Sequence, residues 1–271
     1  MVDKKRLILI FGNVFFVILT IIINALANIL PINNRYTGEL ADLYPNLFVP
    51  TGLTFAIWGV IYVLLLMFAL YLIKDLLIKE EKKDVSYIEK IGVFFILASI
   101  GNIIWIFLWH YEKVFLSLLP MLLLFFSLLM IYLRLDIGRK KVSIKEKIFV
   151  HLPFSVYFGW ITVATVANVT AILVDIDWDG FSISPEIWTI LIISIVVLLT
   201  ILVLITRFDV AYSLVIIWAL FGIYLKRIND DPVFGVKENI AYTSLIGIAL
   251  IFITILFSLL YKKKLILKQK K

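Results

Sequence analysis

Eight long apolar stretches, none of which contains Asp, Glu, Lys or Arg, constrain this chain more than any other feature. They cover residues 7–30, 51–73, 91–109, 114–133, 148–174, 187–206, 210–225 and 239–261. We interpret each as a segment that crosses the ~30 Å hydrocarbon core of a bilayer. A continuous apolar segment satisfies its backbone in lipid only as a helix. The sequence therefore predicts an all-α polytopic membrane protein with eight transmembrane helices, called predicted helices 1 to 8.

The composition agrees with this fold class. Hydrophobic residues make up 63% of the chain and charged residues 17%, whereas soluble domains average ~45–50% and ~25%. Such an excess of apolar residues cannot be buried inside one water-soluble globule. The lipid bilayer is therefore a predicted partner.

The placement of positive charge predicts the orientation. If the N-terminus is cytoplasmic, the cytoplasmic segments contain 21 Lys and Arg residues and the outer segments contain 5. Cytoplasmic loops of membrane proteins carry such an excess. We predict an integral protein of the cell membrane with both termini in the cytoplasm. This topology accounts for the net charge of +7 without a nucleic-acid partner.

An acidic segment, residues 174–186, divides the helices into two groups. We predict a five-helix transmembrane bundle over residues 1–175 and a three-helix extension over residues 176–271. Ser184, Pro185 and Glu186 have the pattern of an N-cap, a first-turn proline and an acidic first turn. Predicted helix 6 therefore begins at this point.

Predicted helix 1 carries a polar stripe. Asn13, Thr20, Asn24 and Asn28 lie on one helical face. Because buried amides need partners in a bilayer, this face contacts protein or a cavity rather than lipid. Hydrogen bonds between helices are the simpler interpretation. Contact with a ligand is the alternative.

Several tryptophans lie deeper than the membrane boundary. Trp58 is one turn from Tyr62 on predicted helix 2, Trp105 is on helix 3, and Trp160 is on helix 5. Interfacial aromatic belts explain Trp109, which is close to a helix end, but not the deeper residues. Core packing and the wall of an aromatic pocket are the two alternatives for them, and spacing alone favours packing.

The motifs that contain these residues resemble those of a known family. They read PTGLTFAIWGVIY from residue 50, GNIIW from residue 101 and WITVATVAN from residue 160. Their residues and order are similar to those of the TspO family, the tryptophan-rich sensory proteins related to the mitochondrial translocator protein or peripheral benzodiazepine receptor. The resemblance covers residues 7–174, the five-helix fold of that family. The three C-terminal helices lie outside the family pattern.

The resemblance implies a pocket among the first five helices, capped by the loop between helices 1 and 2, that takes porphyrins, sterols or similar flat hydrophobic ligands. The predicted ligand contacts are Trp58, Tyr62, Asn102, Trp105, Trp109, Trp160, Asn168, Asn24 and Asn28, and the predicted pocket mouth is Pro50, Gly52, Arg35 and Lys113. Arg35 and Lys113 are the Lys and Arg residues on the outer side of these five helices, which makes them candidate partners for porphyrin carboxylates. A tetrapyrrole is the candidate ligand, and no cofactor is required.

The leading functional hypothesis is a membrane receptor or carrier for a small hydrophobic planar ligand. The alternatives are an enzyme that degrades porphyrin oxidatively and a small-molecule secondary transporter. Hydrolysis and ion-coupled transport normally use acidic groups within the membrane, and the apolar stretches contain none. No catalytic residue is predicted, and association into a homodimer is left open.

The two histidines do not form a metal site. His110 ends predicted helix 3 on the outer side and His151 begins helix 5 on the inner side. About a membrane thickness separates them, so they cannot share one ion. The chain has no cysteine, and no metal site is predicted.

Overall fold

The computed structural model describes residues 4–30, 32–77, 85–229 and 231–268, and these ranges contain α-helices and no β-strand. The helices are α1 (Lys4–Ile29), α2 (Thr37–Asp42), α3 (Ile57–Leu77), α4 (Tyr87–Ile91), α5 (Phe94–His110), α6 (Val114–Arg134), α7 (Ile144–Glu146), α8 (Leu152–Asp175), α9 (Pro185–Arg207), α10 (Val210–Ile228) and α11 (Glu238–Lys268). A short 3₁₀ helix, Gly52–Ala56, precedes α3, and a π-helical turn, Lys147–His151, precedes α8.

The predicted all-α polytopic membrane fold is confirmed. Predicted helices 1 to 8 correspond to α1, α3, α5, α6, α8, α9, α10 and α11. Within the described ranges, seven of them are long and apolar enough to cross a bilayer. The eighth, α5, has 17 residues and is shorter than predicted. Gly92 causes the difference, because it adopts a φ of 52° between α4 and α5 and interrupts the helix there.

The start of α9 also agrees with the sequence. The hydroxyl oxygen of Ser184 accepts a hydrogen bond from the backbone N–H of Ile187 at 3.3 Å. Pro185 occupies the first turn, where its missing N–H costs nothing, and Glu186 follows it. The local signals for a helix start are therefore sufficient at this position.

The helices pack in a continuous series. Helix α5 packs on α6, α6 on α8, α8 on α10, α10 on α11 and α11 on α9, while α1 lies against α3 and α5. Two glycines illustrate how closely these helices approach each other. A Cβ atom on Gly101 of α5 would lie 2.8 Å from the Pro120 carbonyl oxygen of α6, and one on Gly159 of α8 would lie 3.1 Å from Val215 of α10. Small residues at these positions let helix backbones meet.

The segments predicted to share one side of the membrane contact each other. On the predicted inner side, Arg207 pairs with Asp136 at 3.3 Å. On the predicted outer side, the side-chain amide of Asn239 donates to Glu186 at 2.8 Å. These contacts are consistent with alternating chain direction through the bundle.

Candidate functional site

An apolar cavity lies between α3, α5 and α8, near their predicted outer ends, and has a volume of about 50 Å³. Its walls are mostly aromatic and small apolar side chains. They are Thr37, Ala41, Val49, Pro50, Phe55, Trp58, Trp105, Trp109, Trp160, Val163, Ala164, Ala167, Asn168 and Ala171. The cavity thus joins three transmembrane helices with the segment that connects α1 to α3.

Four tryptophans form two aromatic pairs at this cavity. On one side, the ring centroids of Trp58 and Trp160 are 6.3 Å apart with an interplanar angle of 83°. On the other, Trp105 and Trp109 are stacked at 5.7 Å and 20°. Offset or edge-to-face pairs of this kind are favourable and hold the rings in defined orientations. The indoles therefore form a rigid apolar wall.

Small residues on α8 leave the space that the tryptophans surround. Ala164, Ala167 and Ala171 lie on the same helical face as Trp160 and line the cavity. A helical row of alanines next to tryptophans is visible in the sequence. The predicted ligand contacts on this helix were Trp160 and Asn168, and the three alanines were not among them.

Some of the predicted ligand contacts line the cavity and others do not. Trp58, Trp105, Trp109, Trp160, Asn168 and the predicted mouth residue Pro50 all line the cavity. Tyr62 does not line it but stacks on Trp58, with ring centroids 5.7 Å apart. Gly52 lines a neighbouring polar cavity instead. Trp109 is 6% exposed, so it packs inside the bundle instead of anchoring an interfacial belt.

The asparagines of α1 and α5 contact each other. The side-chain amide of Asn24 donates to the side-chain oxygen of Asn102 at 2.6 Å. Neither residue lines the cavity, so the simpler interpretation of the polar stripe, a bond between helices, describes Asn24. The side chain of Asn28 lies outside the described part of the structure.

The predicted cations of the pocket mouth are not among the residues that line the cavity. Arg35 forms an ion pair with Glu112 at 3.6 Å, and both side chains are more than 40% exposed. Lys113 precedes the first residue of α6. Neither Arg35 nor Lys113 lines the cavity.

Two buried N–H donors at the cavity have no partner within the described residues. They are the indole N–H groups of Trp105 and Trp160. Most buried polar groups in proteins are hydrogen-bonded, so unpaired donors require an explanation. A bound ligand or water with acceptor atoms would supply one.

His110 fixes the cap of the cavity. It is fully buried, and its Nδ1 lies 3.1 Å from the carbonyl oxygen of Ile32 while its Nε2 lies 2.9 Å from the hydroxyl of Thr37. Because the carbonyl can only accept, Nδ1 donates; in the neutral ring Nε2 then accepts from Thr37. Both ring nitrogens are engaged by protein, so His110 holds the start of α2 against the end of α5. Tyr44 lies nearby. Its burial, together with the negative charges of Asp175 and Glu112, raises the pKa of its phenol above the ordinary value.

Metal-ligating residues are dispersed in the described part of the chain. No group of three or more His, Asp and Glu side chains there could hold a metal ion. His151 is buried near Glu146, with 3.8 Å between Nε2 and the carboxylate. The residues that line the aromatic cavity offer stacking, apolar contact and hydrogen bonding by neutral groups.

One comparison with known proteins gives a match. The model of a family described as TSPO-like protein matches residues 8–257. The match continues through α9 and α10 into α11, so it includes helices that the motif resemblance placed outside the family pattern. No curated protein and no solved structure matches the chain.

Proposed function

Because this chain belongs to the TSPO-like protein family, we propose that it is a membrane receptor or carrier that binds a flat hydrophobic ligand, such as a porphyrin or a sterol-like molecule, in the aromatic cavity. The observation that carries the proposal is the combination of four cavity-lining tryptophans with unpaired indole N–H donors on Trp105 and Trp160. Indole faces suit a planar apolar molecule, and the donors suit acceptor atoms at its edge.

The size of the cavity adds a condition for binding. A volume of about 50 Å³ is far below the ~300–1,000 Å³ of ordinary ligand sites. A porphyrin therefore fits only when part of the wall moves. The helices α3, α5 and α8 are packed against the rest of the bundle, whereas the segment between α1 and α3 closes the outer end. Movement of that segment is the simplest way to enlarge the site.

Protoporphyrin is the probe that tests this function. We expect saturable binding to the purified protein, and we expect Trp105→Phe and Trp160→Phe each to raise Kd roughly three- to tenfold, because each change removes indole area and one N–H donor. The visible absorption of protoporphyrin measures binding without depending on the number of tryptophans.

A matched variant controls for general effects of losing an indole. Trp178 lies outside the cavity and packs against Trp188, with ring centroids 5.3 Å apart. Trp178→Phe should leave Kd unchanged. Binding that does not saturate, or that responds equally to all three substitutions, would contradict the proposed site.

We further propose that the protein lies in the cell membrane with both termini in the cytoplasm. The distribution of 21 against 5 Lys and Arg residues supports this orientation. Because the chain has no cysteine, single thiols can report it. We expect Glu238→Cys to react with a membrane-impermeant maleimide on intact cells and Lys145→Cys to react only after permeabilisation. The reverse pattern would overturn the orientation.

A further inference from the structure

Residues 41–55, which we call the mouth segment, form part of the wall at the outer end of the aromatic cavity. Ala41, Val49, Pro50 and Phe55 of this segment line the cavity. A ligand that needs more room than the cavity offers requires part of the wall to move, and the mouth segment is the part that does not belong to a transmembrane helix. Whatever holds this segment in place therefore controls access.

Helix α10 holds the mouth segment through hydrogen bonds at the entry to α3. The indole N–H of Trp218 donates to the carbonyl oxygen of Thr54 at 2.9 Å. The backbone N–H of Thr51 donates to the carbonyl oxygen of Gly222 at 3.2 Å. Both bonds join the C-terminal helices to the cap of a cavity formed by the N-terminal helices.

The close approach of α10 depends on a glycine. A Cβ atom on Gly222 would clash with the hydroxyl oxygen of Thr54 and lie 2.9 Å from the Cβ atom of Pro50. By contrast, a Cβ atom on Gly52, within the mouth segment itself, would meet nothing within 4 Å. The packing of α10 on the mouth segment therefore leaves no room for a side chain at position 222.

The C-terminal end of α10 adds charged contacts. Lys226 pairs with Asp42 at 3.0 Å. Arg227 donates to the backbone carbonyl oxygen of Asn46 at 3.3 Å and pairs with Asp231 at 3.2 Å. The Arg227 side chain is 0% exposed, and hydrogen bonds from a buried guanidinium are stronger than those at a surface. These bonds hold the middle of the mouth segment.

A polar cavity of about 460 Å³ lies on the other side of the mouth segment. It shares Ala41 and Val49 with the aromatic cavity, so the mouth segment forms the wall between them. Lys226 and Arg227 line the polar cavity, but each is already paired with a carboxylate. We therefore interpret this space as room into which the mouth segment can move, and not as a second ligand site.

We propose that α10 is the latch of the aromatic cavity: its contacts with the mouth segment through Trp218, Gly222, Lys226 and Arg227 hold the cavity closed, and their release opens it. The inference rests on the proposed function, since access matters only if the cavity takes a ligand. It assigns a role to the C-terminal helices, which position the cap of a site formed by other helices. The residues named here are positioning residues and do not line the aromatic cavity.

Thiol accessibility tests the latch without any ligand. Ala171 is 2% exposed and lines the aromatic cavity, so Ala171→Cys places the chain's single thiol inside the closed site. In purified full-length protein, we expect Trp218→Phe to raise its reaction rate with N-ethylmaleimide about fivefold, because one hydrogen bond is lost. Gly222→Ala should raise it about tenfold or more, because α10 is forced away from the mouth segment.

Matched variants separate the latch from general loosening. Trp188→Phe removes an indole N–H that donates to the carbonyl oxygen of Gly180. Gly59→Ala adds a methyl group into open space on α3, outside both cavities. Neither change should alter the rate. A cysteine at the exposed position Ile176 should react equally fast in every variant.

Unchanged rates in the α10 variants, or equal acceleration of the thiols at positions 171 and 176, would overturn the proposal. If Gly222→Ala does not fold, Trp218→Phe decides alone. If the α10 variants react faster but the protein does not bind protoporphyrin, the result would contradict the proposed function. It would still support the proposed role of α10 in holding the mouth segment.

Discussion

Asp231→Asn is expected to lower the free energy of unfolding by about 3–5 kcal/mol, because it leaves the buried guanidinium of Arg227 without its counter-ion. Arg227 is 0% exposed and Asp231 is 6% exposed at the side chain. Asparagine keeps the shape of the residue and an oxygen that can accept from the backbone N–H groups of Val233 and Phe234. Its NH₂ group, however, would face the N–H donors of the guanidinium. The substitution therefore tests the contribution of the Asp231 negative charge to stability.

The pH dependence of this pair has a defined sign. Burial raises the pKa of the Asp231 carboxyl, whereas hydrogen bonds from the backbone N–H groups of Val233 and Phe234 lower it. Together with Arg227, they hold the pKa below its ordinary value. The contribution to stability is therefore present above the ordinary carboxyl pKa and is lost as the pH falls through the lowered value. We expect the pair to be intact at neutral pH.

Unfolding by SDS in mixed micelles, followed by circular dichroism, measures the effect. Glu112→Gln is the matched control, because it removes the same charge from the exposed Arg35–Glu112 pair. Exposed pairs contribute only ~0–1 kcal/mol. Equal effects of Asp231→Asn and Glu112→Gln would contradict the burial argument.

Asp209→Ala is expected to lower the free energy of unfolding by about 2–4 kcal/mol, because two losses combine. The Asp209 carboxylate caps α10 by accepting from the backbone N–H groups of Ala211 and Tyr212 at 3.1 and 3.3 Å. It also accepts from the hydroxyl of Ser155 on α8 at 2.7 Å. Removing it leaves a buried hydroxyl unpaired and the helix start uncapped.

Two variants identify the cause of this loss. Asp209→Asn keeps a side-chain oxygen that can cap the helix, so it should recover most of the stability. Ser184→Ala removes the cap of α9 alone, and its cost should be nearer ~1 kcal/mol. The same unfolding titration applies. A cost for Asp209→Ala no greater than that for Ser184→Ala would show that the bond to Ser155 contributes nothing.

The transmembrane helices were predictable because each apolar stretch has one solution in lipid. The sequence also predicted the start of α9, since Ser184 and Pro185 act through local geometry. The length of α5 was not predictable from hydropathy, because Gly92 is uncharged and a single glycine leaves the stretch apolar on average. Its positive φ interrupts the helix within an uncharged stretch.

The candidate site was predicted in part. Trp58, Trp105 and Trp160 line one cavity, and the depth of these residues in their helices had indicated either a pocket or core packing. Asn24 and Asn102 bond to each other instead. Helical spacing assigns a residue to a face, but it does not identify the helix or cavity that the face meets.

The sequence by itself determined the class of fold, the transmembrane helices and the depth of the aromatic residues within them. These depend on the length of each uncharged apolar stretch and on helical periodicity, which are local properties of the chain. Only the tertiary structure decided that Trp109 packs inward, that Arg35 and Lys113 do not line the cavity, and that α10 reaches the mouth segment. These depend on close approaches such as that at Gly222. The sequence around a glycine in an apolar helix does not show whether the glycine faces lipid or the backbone of a segment many residues away. Only the packing of the helices distinguishes these two environments.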